Sequence, residues 1–351
     1  MKYILLAVSL IILTSCKNEV SKNPSEVYST DIQIKESIDF TMVFASCSDQ
    51  KMKQPLWKPI IENKPDVFIW GGDNIYADTD DMAKMKADYD SVWANPEYRK
   101  LSEITHITGV WDDHDYGKND AGVAWHAKKE AQQQFLDFIK APENDIRRTN
   151  REGIYSSETF QTKNGSVKLI MLDTRYFRDS LLLSTTEGRR YDHWPTGHGG
   201  TVLGATQWNW LEKELDDDRT TFTIIVSSIQ FLADEHFWEK WGYFPEEVEK
   251  LNQLIINAKA NNIFILSGDR HLAEFSKKEL EGLDYPLIDF TTSGMTKVYP
   301  DTPEDINQYR VGHQVKKLNF GLITFDFKNQ KVTMEIRGEN NVIHDVLEQQ
   351  Y

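Results

Sequence analysis

From residue 39 onward, short apolar or β-branched runs repeatedly break off into polar clusters built on glycine or aspartate. "FTMVFASCSD" is the first, followed by "PDVFIWGGDNIYAD" and "ITHITGVWDDHDYGKND". "VKLIMLDTRYFRD", "TFTIIVSSIQF", "NIFILSGDRHLAEF" and "LIDFTTSGMT" come later. Each run predicts a strand ending in a loop. Between them lie segments with helical spacing. Trp208, Leu211 and Leu215 share one face, as do Val248, Leu251, Leu254 and Ala258, with Pro245 suited to a helix start. Strands alternating with helices specify an α/β fold, and in such folds ligands sit at the carboxyl ends of strands. Those ends carry Cys47, Asp73, Tyr76, Asp112, Asp113, His114, Asp173, Asp269 and His271. So many carboxylates brought together repel one another unless a cation sits among them.

The C-terminal part reads differently. "LNFGLITFDF", the turn "KNQK", "VTMEIRG" and "NNVIHDVLE" predict an antiparallel meander, continuous with the preceding domain. The 351 residues carry a formal net charge of −15, a surface that repels nucleic acid. An anionic substrate remains admissible where bound cations reverse the field locally.

The chain begins "MKYILLAVSLIILTSC". Lys2 precedes an apolar stretch over residues 4–13 that is too short to span a bilayer. Leu13-Thr14-Ser15-Cys16 resembles the bacterial lipobox. That resemblance makes residues 1–16 a lipoprotein signal peptide whose Cys16 becomes lipidated, and residues 17–38 a polar tether. Residues 39–351 form the functional domain, exported and anchored to a membrane, in the periplasm or at the cell surface. An ordinary signal peptide that happens to hold a cysteine is the plain alternative. Only two cysteines are present. With Cys16 lipidated, Cys47 has no disulfide partner and is either buried and inert or bound to metal.

In "GGDNIYAD" a glycine pair lets the chain turn sharply and aim Asp73 and Tyr76 at one point, a hard anionic donor set for a metal; a loop with a capping aspartate is the rival reading. "WDDHDYGKND" sets Asp112, Asp113, His114 and Asp115 in succession, which is costly next to a core unless they are solvated or hold metal. "SGDRH" places Asp269 and His271 two apart, as two ligands, a ligand and a general acid, or a structural pair. Arg175 is a phosphate clamp or a partner of Asp173, with the structural pair preferred. The glycine-rich segment "TEGRRYDHWPTGHGGTVLG" brings Arg189, Arg190, His193 and His198 and reads as a long loop near the mouth of a site.

"FASCSD", "GGDNIYAD", "WDDHD", "MLDTRYFR", "LGATQWNWLEKEL", "WGYFPEE" and "LSGDRH" occur in this order from about residue 40 to beyond residue 296. Together they resemble the PhoD-like alkaline phosphatase family of metallophosphoesterases. The resemblance implies a four-layer αββα sandwich with mixed sheets. It also implies a cofactor of Fe(III) and Ca(II), with iron on Cys47, Asp73 and Tyr76 and further metal ligands among Asn74, Asp112, Asp269 and His271. Asp113, His114, His271 and Arg175 are then the catalytic candidates, and Arg175, Arg189 and Arg190 the substrate contacts.

The implied reaction is metal-assisted hydrolysis of phosphomonoesters or phosphodiesters. Two other readings compete: a metal-stabilised surface lipoprotein that binds a glycan or phospholipid without turnover, and an esterase for non-phosphate esters. The aromatic segment "EHFWEKWGYF" suits such binding, or packs in the core.

Overall fold

The computed structural model describes residues 38–351. The signal peptide, Cys16 and all but the last residue of the tether lie outside the described residues. Fifteen strands are β1 (Phe40–Ala45), β2 (Val67–Gly71), β3 (His106–Val110), β4 (Ser156–Gln161), β5 (Ser166–Met171), β6 (Leu182–Leu183), β7 (Tyr191–Asp192), β8 (Phe222–Val226), β9 (Ile263–Ser267), β10 (Ala273–Lys278), β11 (Leu287–Thr292), β12 (Arg310–Val315), β13 (Phe320–Asp326), β14 (Lys331–Arg337) and β15 (Ile343–Gln350). The α-helices are α1 (Trp57–Glu62), α2 (Met82–Ala94), α3 (Pro96–Ile104), α4 (Asp113–Tyr116), α5 (Lys128–Phe138), α6 (Ile146–Thr149), α7 (Gly204–Leu215) and α8 (Pro245–Ile256).

The first sheet is six-stranded, in the order β15-β14-β13-β1-β2-β3, and the second is seven-stranded, in the order β12-β10-β11-β9-β8-β5-β4. Within the first, β1, β2 and β3 run parallel. The predicted meander is present as β13–β15 and joins the same sheet through antiparallel pairing of β13 with β1. In the second sheet β5, β8, β9 and β11 are parallel.

Period-two alternation sorts the side chains into layers. On β8, Phe222, Ile224 and Val226 point into the core between the sheets, while Ile225 joins Leu211, Leu215, Leu251 and Ile255 of α7 and α8 on the outer face. Phe222 and Phe264 of the second sheet meet Phe325 of the first across the interior. The first sheet is covered on its other side by α1 and α3: Trp57 packs on Phe68 and Trp70 at ring separations of 5.6 and 5.5 Å, and Tyr98 on Trp70 at 5.8 Å. Helices, sheet, sheet and helices make four layers. Pro245 opens α8 as predicted, but the helix ends at Ile256, so Ala258 lies beyond it.

Both lateral seams of the sandwich are tied by side chains. Glu158 on β4 accepts hydrogen bonds from His106 and Thr108 on β3, each at 2.6 Å. On the far side, the backbone amide of His313 on β12 donates to Asp345 on β15 at 3.0 Å. Among the described residues no helix is long and apolar enough to cross a membrane.

Candidate metal centre and its cavity

The parallel strands of both sheets point their carboxyl ends to one side, and the loops that leave them are laced together by backbone hydrogen bonds. The Cys47 amide donates to the Gly72 carbonyl and the Ser48 amide to the Asp73 carbonyl, joining the loops after β1 and β2. Met295 and Thr296, after β11, donate to the carbonyls of Ser46 and Cys47. Gly268, after β9, donates to Ser228, after β8. Loops this close leave no room for a Cβ at two points. One built on Gly72 would lie 2.5 Å from the Cβ of Asp112, and one on Gly268 would lie 2.7 Å from the carbonyl oxygen of Gly71. The chain also bends hard: Cys47, Asp73, Asp269 and His271 all have left-handed backbones, with φ of 59°, 49°, 69° and 55°. Non-glycine residues held this way are sparsely populated and concentrate at functional sites.

These bends bring the predicted donors together. Ligand atoms of Cys47, Asp73 and His271 lie within 4.8 Å of one another, as do those of Asp73, Asp113 and His114, and those of Asp112, Asp113 and Asp269. The Cys47 thiol lies 3.6 Å from an Asp73 carboxylate oxygen, and the Tyr76 hydroxyl 3.1 Å from Nε2 of His271. Burial first, then neighbouring negative charge, drives the pKa values of Asp73 and Asp269 well above the carboxylate range and that of Cys47 above the thiol range. Asp112 is pushed up to about 6 by burial in spite of Arg175 beside it. Oδ2 of Asp112, Oδ1 of Asp113 and Nδ1 of His271 are buried without a hydrogen-bond partner. Soft thiolate, phenolate, imidazole and hard carboxylates, with free lone pairs and a surplus of negative charge, are what a mixed metal cluster requires. The residues fit.

Two histidines border the cluster in opposite electrostatic settings. Burial opposes a charge on His114, but Asp73, Asp78 and Asp113 raise it to about 10. Its Nδ1 is 2.7 Å from Asp78, and its ring lies against Tyr76. His271 is lowered to about 4 by burial and by Lys297. Burial likewise works against ionisation of Asp113, yet Arg175, His114 and the amide of Asp120 together hold its pKa below the ordinary value.

Of the three arginines the sequence suggested, Arg175 and Arg189 fall elsewhere and Arg190 reaches the cavity. Arg175 is fully buried and does not line the cavity, which removes it from direct contact with substrate. Its Nε donates to Asp112 and its Nη1 to Glu239, both at 2.6 Å. Its guanidinium does not pair with Asp173, whose carboxylate instead accepts from the amides of Ile154, Arg175 and Tyr176 and from the Trp111 indole. Arg178 completes the network, 2.8 Å from Glu239. Arg189 also stays off the cavity, bound to the Tyr191 carbonyl, Asp192 and His193. Arg190 lines it, 2.7 Å from Asp120. Asn74 is buried and fastens α4, its side-chain amide donating to Asp115 and the Val110 carbonyl while its Oδ1 has no partner. His193 pairs with Asp234, and His198 stacks on Trp194.

Above the cluster opens a cavity of about 740 Å³. Asp73, Tyr76, Asp113, His114, Asp269 and His271 form its floor; Glu239, from the aromatic segment, stands on its wall together with Lys297 and Tyr299, which no motif had indicated. Asp78 was also missed, although it closes the "GGDNIYAD" segment.

A family model described as PhoD-like phosphatase matches residues 86–336. Among solved structures, one titled "Structure of PhoD" superposes with a TM-score of 0.66 at 17% identity, covering 90% of this chain and 69% of that one. Purple acid phosphatase PPD1 from yellow lupin (Lupinus luteus) gives 0.61 at 13% identity over 90% of this chain and 54% of its own. GAP50, described as the anchor in the inner membrane complex of Plasmodium, gives 0.56 at 10% identity over 90% and 89%. At these identities the likeness shows the fold alone. A search of curated protein sequences finds no match.

Proposed function

Because the chain belongs to the PhoD-like phosphatase family and is therefore a metal-dependent phosphoric ester hydrolase, we propose that it cleaves phosphate esters at an Fe(III)–Ca(II) cluster seated on the strand ends. The observation that carries this reading is the ring of unpartnered, buried ligand atoms under an open cavity. Cys47, Asp73 and Tyr76 would hold iron, with Asp112, Asp269, His271 and Asn74 as the further candidate ligands. When bound, the cations neutralise the phosphate oxygens and lower the pKa of the attacking water.

The chain's own residues do the rest. Asp78 fixes the His114 ring through Nδ1, leaving Nε2 to pass a proton to the departing oxygen. Asp113, on the cavity floor, faces the same space and balances that imidazole. Arg190 and Lys297 stand on the walls where a phosphate would enter. Arg175 acts at one remove: it positions Asp112 from behind and ties it to Glu239. The enzyme is proposed to work outside the cytoplasm, anchored through a lipidated Cys16. The intact mass of membrane-extracted protein tests that anchor.

The deciding experiment measures hydrolysis of a phosphomonoester and a phosphodiester at alkaline pH, before and after chelation and with calcium restored, alongside metal content. Activity that is lost and then regained with calcium, in protein retaining iron, supports the cluster. Full activity in metal-stripped protein, or in D73A and H271A variants that are exported and folded, would sink it. Folded, metal-replete protein that cleaves neither ester would favour the non-catalytic lipoprotein.

A further inference from the structure

The cavity is larger than phosphate needs. At about 740 Å³ it falls in the range that encloses a ligand of drug size, so it is shaped for the organic part of the ester as well. The basic groups on its outer walls are largely matched within the protein: Arg190 faces Asp120 at 2.7 Å and Arg270 faces Asp305 at 2.6 Å. Two aromatic rings stand open on the wall: Tyr299, 57% exposed and stacked on His271 at 5.1 Å, and the indole of Trp238, 50% exposed.

The Trp238 ring is held firmly for so exposed a side chain. Its neighbour Glu239 is clamped between Arg175 and Arg178 at 2.6 and 2.8 Å. The next residue, Lys240, caps the carbonyls of Asp234 and His236. Trp241 is buried, with its indole nitrogen donating to Ser227 at 3.0 Å. The amide of Trp238 itself donates to Nδ1 of His236. A large apolar ring kept half in water on such a base is a preorganised recognition surface.

Its chemistry narrows the ligand. The guanidinium of Arg270 sits over the Trp238 ring, 5.4 Å from its centroid. A cation on one face draws on the ring's negative quadrupole, so the indole is a poor host for a second cation, such as a quaternary ammonium group. Stacking with a planar, uncharged ring does not suffer in this way. We infer that Trp238 selects phosphate esters whose alcohol carries a planar aromatic ring, of which a nucleoside is the natural representative, over esters of acyclic or cationic alcohols. The inference builds on the phosphoesterase reading and names the substrate class for that site.

Adenosine 5′-monophosphate and glycerol 3-phosphate test it, because both release a primary alkoxide and only the nucleotide carries a planar aromatic ring. With metal-loaded protein, kcat/KM should favour the nucleotide. Trp238→Ala should lower the ratio of the two kcat/KM values by about tenfold, mainly through KM for the nucleotide, and Trp238→Phe should restore most of it. Adenosine binding followed by calorimetry should weaken in parallel, a readout independent of turnover. No preference in the wild type, or an equal fall for both esters in Trp238→Ala, would overturn the inference and mark Trp238 as merely structural. Adenosine binding that depends on Trp238, with neither ester hydrolysed, would leave the ring platform standing and overturn the phosphoesterase reading instead.

Discussion

Two buried ionic clusters meet at Asp112, and they are built on opposite principles. On one side Asp112, Arg175, Glu239 and Arg178 form a chain in which every carboxylate meets a guanidinium. On the other, Asp73, Asp113 and Asp269 face one another and the Cys47 thiol, with His114 alone among them driven toward the cationic form. The first cluster is complete in the polypeptide. The second is left for cations to complete, and its cost in the bare protein appears as the upward drive on the Asp73 and Asp269 carboxyls. The pairing teaches where structure ends and function begins: the compensated network fixes Asp112 and the cavity wall in place, so that the uncompensated one can stay strained.

That contrast can be broken from either side. The largest effect belongs to Glu239→Ala, which strands two buried arginines. Removing one partner of a buried pair typically costs 3–5 kcal/mol, so a loss of about that size is expected in urea denaturation. An unchanged midpoint would show that the network is not what fixes this wall. Asp269→Asn should do the reverse in metal-free protein. Asparagine tolerates the left-handed backbone at this position and removes one repelling charge, so thermal stability should rise, by about 1 kcal/mol. The same variant should lose phosphate-ester hydrolysis and the stabilisation conferred by calcium. Destabilisation without metal would contradict the repulsion argument.

The pH profile sharpens the comparison further. A carboxyl whose folded pKa lies above its unfolded value binds an extra proton in the folded state, so stability falls as pH rises between the two values. Chelated protein should therefore lose stability from about pH 4 upward, starting at the unfolded carboxylate value, and calcium should flatten that slope. A flat profile in chelated protein would argue that the carboxylates are already neutralised. The smallest expected effect is a control at the surface. His106 is raised, chiefly by its hydrogen bond to Glu158, and Glu158 is lowered against its burial by that same bond. The pair's contribution is complete between the two unfolded values, about pH 4.3 to 6.5. It fades as pH rises through the raised His106 value or falls through the lowered Glu158 value. His106 is half exposed, so solvent screening holds the contribution below about 1 kcal/mol. Comparing His106→Ala with wild type at pH 6 and pH 9 measures it, and a difference that grows at pH 9 would reverse the assignment.

The floor of the site could be read from the sequence because each donor follows its strand within a few residues. Cys47, Asp73, Asp112 and Asp269 come directly off β1, β2, β3 and β9, so a strand pattern is also a site pattern. The walls could not be read in this way. Glu239 and Trp238 lie in "EHFWEKWGYF", where no period separates buried Trp241, Tyr243 and Phe244 from exposed Phe237 and Trp238. Their sorting depends on Arg175 and Arg178, some sixty residues away in the chain. Arg175 was assigned to Asp173 on local spacing, yet the aspartate is saturated by backbone amides and the guanidinium turns to partners from other loops. Likewise the parallel strands and the meander were visible, whereas β4 was not: it is an edge strand of mixed composition, "SSETFQ", defined by its pairing with β5.

The bonds across the two seams of the sandwich have a consequence of their own. An edge strand with free amides and carbonyls is a template on which another chain can add itself, and growth from such edges is how folded sheets begin to aggregate. Here Glu158 bridges β4 to β3, and Asp345 takes up an amide of β12, so each sheet's outermost strand is turned toward the other sheet's edge. That closure guards against self-association without using any part of the strand-end face, which stays free for substrate.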